Sequence, residues 1–296
     1  MCGLTRKQFD ILVKLAERKK LSAVKKRRNI YPFDVVDEVM EELKGAGYVD
    51  GGEITATGLY VLEPYRAKRA IFLAAGYGSR LAPVSINTPK PLVRVHGKRL
   101  IDGLIEACLS VGIEEIYVVR GYLGEQFDQL LYQYPMVKFL ENDTYNEANN
   151  ISSAMCAADL LANAYVFEAD LLIKNPQVIR LYHYTSNFLA FWKKKTNDWC
   201  FEVENGFIIE EKIGGMNCWQ MVGISYWNKS DGERLAGDLR RIYAQPDGKK
   251  SYWEQVPLVY CREDYQVEVC ACDEGDVAEI DTYAELKAID PIYDLR

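Results

Sequence analysis

Near the start of the chain, apolar residues recur at helical spacing (Phe9, Leu12, Leu15, Ala16) behind Thr5-Arg-Lys-Gln8, whose Thr and Gln are placed to form a capping box. The pattern predicts a helix over 6–18. The strongly basic stretch from Lys19 to Arg28 is read as a short second helix. After Pro32, which suits a first helical turn, Val35, Val36, Val39, Met40 and Leu43 predict a third helix that stops at Gly45. Residues 48–55 then read as two short strands around a glycine turn, and residues 64–68 as a linker.

Beyond the linker the pattern changes. Arg69-Ala-Ile-Phe-Leu-Ala74 is a short apolar run of the kind that forms a buried strand. A helical stripe over Leu100–Leu109 ends at Gly112, before a strand at Ile116-Tyr-Val-Val119. Arg120 to Phe127 turns into another predicted helix, and Val137-Lys-Phe-Leu140 and Ala164-Tyr-Val-Phe167 are further strands. Alternating strands and helices predict a parallel-type sheet covered on both faces. From Phe188 through Trp227, and again at Gln266–Cys270, strands follow with fewer helices between them. The expected organisation is a small domain over 1–68 and an α/β domain over 69–296.

Composition sharpens this division. The net charge is −7, but residues 1–69 hold 14 basic and 10 acidic side chains, so the remainder carries the acidity. Eight scattered cysteines, with no C-x-x-C and two histidines, argue against a zinc site or a disulfide framework. No apolar run reaches the ~20 residues of a membrane-spanning helix, and Met1-Cys-Gly-Leu-Thr-Arg6 lacks the pattern of a signal peptide. A cytoplasmic protein is expected.

The chemistry concentrates where the predicted strand at 69–74 runs into Ala75-Gly-Tyr-Gly-Ser-Arg80. Gly76 and Gly78 free backbone amides to turn toward an anion. Arg80 and, in Thr88-Pro-Lys-Pro91, Lys90 add cations suited to phosphate oxygens. A dinucleotide fingerprint would need Gly or Ala at 81, where Leu stands, and the Gly-Lys-Ser/Thr of a P-loop is absent. Asp170 and Asp281 each follow a predicted strand, where open α/β sheets bind ligands, and two such carboxylates suit a magnesium ion on a nucleoside triphosphate.

The spacing Gly-x-Gly-x-Arg followed by Pro-Lys resembles the signature of the sugar-phosphate nucleotidylyltransferase superfamily. An ordered set of segments narrows this: Gly121-Tyr-Leu-Gly-Glu-Gln-Phe127, Tyr145-Asn-Glu-Ala-Asn-Asn-Ile-Ser-Ser153, Glu168-Ala-Asp170, Thr196-Asn-Asp-Trp199, Val222–Trp227, Tyr252-Trp-Glu254 and Glu279-Ile-Asp281. Over roughly 69–289 the chain resembles the bacterial CTP:phosphocholine cytidylyltransferase family. The resemblance implies a Rossmann-like nucleotidyltransferase fold with a mixed central sheet and an Mg²⁺-dependent site taking CTP and phosphocholine. It implies that Ala75, Gly76, Gly78 and Arg80 hold the triphosphate, that Lys90 acts on the α-phosphate, and that Asp170 and Asp281 hold the metal. It further implies that Tyr122, Asn149, Asn150 and Ser152 read base and ribose, and that Trp199, Tyr252, Trp253, Glu254 and Glu279 receive the acceptor, with Trp227 left to the core. CDP-choline, an activated headgroup for lipid or cell-surface polymer, would be the product. Ala278 departs from the bulky residue expected beside the metal carboxylate.

Two rival functions stand beside this one: a nucleotidylyltransferase for a sugar 1-phosphate or another aminoalcohol phosphate, and a regulator whose nucleotide fold only senses. The first 68 residues resemble a winged-helix domain. The helix after Pro32 nevertheless carries Asp34, Asp37, Glu38, Glu41 and Glu42 opposite its apolar stripe, which phosphates would repel. The expected role is an accessory or oligomerising module, with homo-oligomers formed through it, rather than a DNA reader. Lys25-Lys-Arg-Arg28 is the feature that favours DNA.

Overall fold

The computed structural model of the protein describes residues 3–20 and 31–294, which belong to two compact units, Met1–Arg66 and Ala67–Arg296. In the first unit a helix spans Arg6–Lys20. Its capping box forms as the sequence predicts, with the Thr5 amide donating to Gln8 Oε1 at 3.0 Å and the Gln8 amide to Thr5 Oγ1 at 3.3 Å. Phe9, Leu12, Leu15 and Ala16 are buried. The helix Phe33–Gly45 buries Val39 and Leu43 and leaves its five carboxylates in solvent. Strands Val49–Asp50 and Glu53–Ile54 pair antiparallel.

A helix at Ala56–Leu62, absent from the sequence reading, follows this hairpin, and the Thr55 hydroxyl caps it by accepting from the Gly58 amide at 3.0 Å. A 3₁₀ turn at Glu63–Tyr65 occupies the start of the expected linker. Most of the basic stretch expected to form a second helix, including Lys25 to Arg28, lies outside the described residues.

The second unit is built on a seven-stranded mixed sheet in the order 187–204, 268–271, 207–227, 164–168, 69–73, 115–120, 137–141. The four strands from 164–168 to 137–141 are parallel, and 207–227 joins them antiparallel. Alternation along Arg69–Leu73 explains why both faces are covered. Phe72, Val118 and Phe167 pack with Ile101, Leu104 and Ile105 of the helix Leu100–Val111. Ile71, Val119 and Val166 pack instead with Leu235, Leu239 and Ile242 of the helix Lys229–Tyr243. Gly112 ends the first of these helices in the left-handed region (φ 93°), as a C-terminal glycine does. The segment predicted as a helix after Gly121 is a 3₁₀ run over Gly124–Tyr132.

Two features place the site. Asn187–Glu204 and Phe207–Trp227 form one long hairpin, turned by Asn205 and Gly206, both at positive φ. A second, separate pairing sets Val277–Glu279 antiparallel to Leu171–Ile173, with Glu279 opposite Leu171. That pairing brings Asp281 to the carboxyl end of the sheet beside Asp170. No described helix is long and apolar enough to cross a membrane.

Candidate active site

The strand Arg69–Leu73 delivers the chain to the carboxyl edge of the sheet, and the loop after it borders a cleft of about 710 Å³ lined by Ala75, Gly76, Gly78, Arg80 and Lys90. Lys90 opens a short 3₁₀ turn after Pro89 and is only 7% exposed. Its Nζ lies 2.6 Å from Asp170 Oδ2 and 2.9 Å from Asp281 Oδ1, and Arg80 Nη2 lies 2.8 Å from the same Asp281 oxygen. Burial works against the Lys90 ammonium, but the two carboxylates outweigh it and hold its pKa above the ordinary value. Asp281 is also partly desolvated, and Lys90 and then Arg80 hold its carboxyl below the ordinary value. Gly78 makes the approach possible: its φ is +59°, and a Cβ there would stand 2.9 Å from the Lys90 Cβ.

Acidic groups crowd the same end. Glu168, Asp170 and Glu279 each bring an oxygen within 4.8 Å of the others. Loss of water, then Asp170 and Glu254, raise Glu168 well above the ordinary carboxyl range. Loss of water, then Asp170 and Glu168, push Glu279 up to about 9; the residue as a whole remains exposed, so repulsion from its acidic neighbours is the firmer cause. Asp170 Oδ1 is buried without a hydrogen-bond partner among the described residues. An orphaned carboxylate oxygen beside two further carboxyls fits the oxygen-only ligand set of a divalent cation. The sequence pairs Asp170 with Asp281 as metal carboxylates; Glu168 and Glu279 also stand beside Asp170, and Asp281 is engaged by Lys90 and Arg80.

Beside these groups, a loop and a turn are tied together. Asn149 donates from its amide to Lys249 O at 2.7 Å and from Nδ2 to Lys250 O at 3.2 Å. Asn150 accepts from the Trp253 amide at 2.9 Å and reaches Glu254 Oε2 at 3.4 Å. Ser152 donates to Asn149 O and accepts from Asn142. All three line the cleft, with side chains already engaged in holding its wall. Tyr122 is not among the lining residues: its hydroxyl donates to Ile86 O at 2.8 Å and its ring rests 5.0 Å from that of Tyr77.

The residues expected to receive the acceptor divide. Trp199 and Tyr252 line the cleft with ring centroids 5.5 Å apart at 66°, and Glu254, 3% exposed, lines it as well. Trp253, expected to receive the acceptor, is instead core. It is 3% exposed, stacks on Phe188 at 6.0 Å and meets Trp227 edge-on at 6.1 Å. Tyr252 and Glu254 line the cleft while Trp253 between them turns into the core. Trp227 is fully buried, as expected.

Sequence reasoning gave no role to Tyr77, Asn142, Tyr145 or Glu168, all of which line the cleft. For Glu168 a signal existed, since it precedes Asp170 by two positions at a strand end. Gly223, on the neighbouring strand, leaves the space it occupies: a Cβ there would lie 2.7 Å from Glu168 Oε2.

A mixed sheet with an anion-suited loop, two cations and a carboxylate cluster at the carboxyl edge of its parallel strands defines an α/β protein of nucleotidyltransferase fold. The chain belongs to the nucleotidyl transferase family, whose model matches residues 69–202. It is 37% identical over 230 residues to a 2-aminoethylphosphonate cytidylyltransferase of Lancefieldella rimae, covering 76% of this chain and 92% of that protein. It is 32% identical over 227 residues to a choline-phosphate cytidylyltransferase of Streptococcus pneumoniae, covering 76% of this chain and 97% of the relative. The solved CTP:phosphocholine cytidylyltransferase of Streptococcus pneumoniae superposes with a TM-score of 0.70 at 30% identity, over 77% of this chain and 99% of that one.

Proposed function

We propose that the protein transfers CMP from CTP to the phosphate or phosphonate of a small acceptor bearing an ammonium group, releasing pyrophosphate. Lys90 held between Asp170 and Asp281 beside the glycine loop carries this reading, because it sets a fixed cation where a triphosphate would lie. An acceptor oxygen attacks the α-phosphorus, the bond to the bridging oxygen of the β-phosphate breaks, and its electron pair leaves on pyrophosphate. The acceptor oxygen is already anionic near neutral pH, so the reaction needs no strong general base. Lys90 and Arg80 offset the charge gathering on the phosphates, and the loop around Gly76 and Gly78 orients them. Mg²⁺ is the proposed cofactor, held by Asp170 with Glu168 and Glu279, with Asp281 beside them, and when bound it supplies further charge neutralisation.

Phosphocholine is the first reading for the acceptor. A quaternary ammonium offers no N–H donor, and the Trp199 and Tyr252 faces suit it, each contributing ~0.5–2 kcal/mol when desolvated. A primary ammonium, as in the 2-aminoethylphosphonate named for the Lancefieldella relative, is the second reading. It is favoured by the buried Glu254 and by the absence of Trp253 from the cleft wall. The N-terminal unit is proposed as an accessory or oligomerising module. Pyrophosphate release from each of the four nucleoside triphosphates, with phosphocholine, 2-aminoethylphosphonate and glucose 1-phosphate as acceptors, tests the reading; it fails if CTP is not preferred or if the sugar phosphate is the best acceptor.

A further inference from the structure

The hairpin that carries Trp199 into the cleft wall also holds a carboxylate that the proposed reaction does not yet use. Glu211 is on the strand Phe207–Trp227, which also sends Met221 and Gly223 to the cleft wall. Both of its carboxylate oxygens are buried and neither has a hydrogen-bond partner among the described residues. Most buried polar groups are paired, and burial pushes the unpaired Glu211 carboxyl up to about 7, so a cation brought near it would restore its charge. The described cation nearest in sequence does not do so: Lys212 pairs with Glu202 and Glu210. Across the hairpin Glu211 stands opposite Phe201, two residues from Trp199 of the cleft wall, and after burial its charge is the next influence raising Glu254. Glu254 in turn faces Asn150 and lies within electrostatic reach of Glu168, and it shares the cleft wall with Trp199 and Tyr252.

Resting on the reading of an ammonium-bearing acceptor, we propose that Glu211 is a positioning residue for acceptor specificity: with Glu254 it forms a two-carboxyl receptor whose missing counter-charge is the acceptor's ammonium. Glu254 meets the cation, flanked by the two rings, and Glu211 stands behind it and deepens the negative potential there. The arrangement selects a cation over a neutral group of the same shape.

Carbon isosteres read this directly. In the parent enzyme, kcat/KM is compared for phosphocholine against 3,3-dimethylbutyl phosphate and for 2-aminoethylphosphonate against propylphosphonate, and the comparison is repeated in Glu211→Gln and Glu211→Asp. The parent favours the cationic member of its preferred pair by about a hundredfold. Glu211→Gln, which keeps the shape, cuts that preference about tenfold, mainly by raising the KM of the cationic acceptor while the KM for CTP holds. Glu211→Asp keeps most of the preference. An unchanged ratio in folded Glu211→Gln overturns the proposal, as does equal loss in Glu211→Asp. Failure of the underlying reading shows earlier and separately, as a parent enzyme that transfers CMP without favouring either cation.

Discussion

Lys90 and Asp170 are eighty positions apart in the chain, and their Nζ and Oδ2 atoms meet at 2.6 Å at the carboxyl edge of the sheet. The contact joins the glycine-loop half of the site to its acidic half, and Asp281 closes the triangle from the other side of Lys90. Replacing Lys90 with Met keeps the stem and removes the charge. Turnover is expected to fall by a hundredfold or more, since a fixed cation at developing phosphate charge is worth about 3 kcal/mol. Steady-state kinetics with circular dichroism as a folding control checks this.

Gly78 and Gly76 separate backbone demands from simple proximity. Gly78 sits at positive φ, and a Cβ there meets the Lys90 Cβ, whereas nothing lies within 4 Å of a Cβ at Gly76. Gly78→Ala is expected to destabilise the protein by about 1–2 kcal/mol and to lower kcat. Gly76→Ala leaves stability within about 0.5 kcal/mol. Urea denaturation of the two variants against the parent measures both.

Trp199→Ala and Trp253→Ala are expected to fail in different ways. Trp253 fills the core against Phe188 and Trp227, so its loss costs about 3–5 kcal/mol of stability. Trp199 borders the cleft, so its loss raises the acceptor KM with a small change in stability. Thermal melts alongside acceptor titrations separate the two effects.

The legible parts of this molecule were those whose signal is local. The apolar run at 69–74, the glycines that follow it and the cap at Thr5 each act through near neighbours, and they stand where the pattern put them. Asp170 and Asp281 were legible as residues following strands. Their meeting on Lys90 depends on the pairing of Leu171–Ile173 with Val277–Glu279, a long-range contact with no mark in either segment. Trp253 shows the opposite failure, because the irregular turn that carries it gives no period from which to tell inside from outside. Glu211, between Glu210 and Lys212, reads as one more charge on an exposed strand until the fold buries it.

Glu254 links the cleft to pH. Burial and Glu211 push its carboxyl up to about 8 from an ordinary 4.5. A carboxyl raised on folding binds more protons in the native state than in the unfolded chain. Its contribution is therefore present below about pH 4.5 and is lost as pH rises through about 8. Melting temperature measured between pH 5 and 9 is expected to fall less steeply in Glu254→Gln than in the parent. Identical slopes would remove Glu254 as the source.

The first unit is expected not to read DNA sequence, because the helix Phe33–Gly45 exposes Asp34, Asp37, Glu38, Glu41 and Glu42. Mobility shifts over a genomic fragment library should show weak, salt-sensitive binding at most. A nanomolar complex with one sequence at physiological salt would contradict this.

The most direct test of the central claim is phosphorus NMR of the protein with CTP, Mg²⁺ and either phosphocholine or 2-aminoethylphosphonate. Pyrophosphate and a new CMP-linked diphosphate or phosphonate-phosphate are expected in equal amounts. Neither is expected to form in EDTA, and Asp170→Asn is expected to slow their formation by a hundredfold or more, since an amide keeps the shape and loses the charge. CTP left intact with both acceptors, or full activity of Asp170→Asn in EDTA, would contradict it.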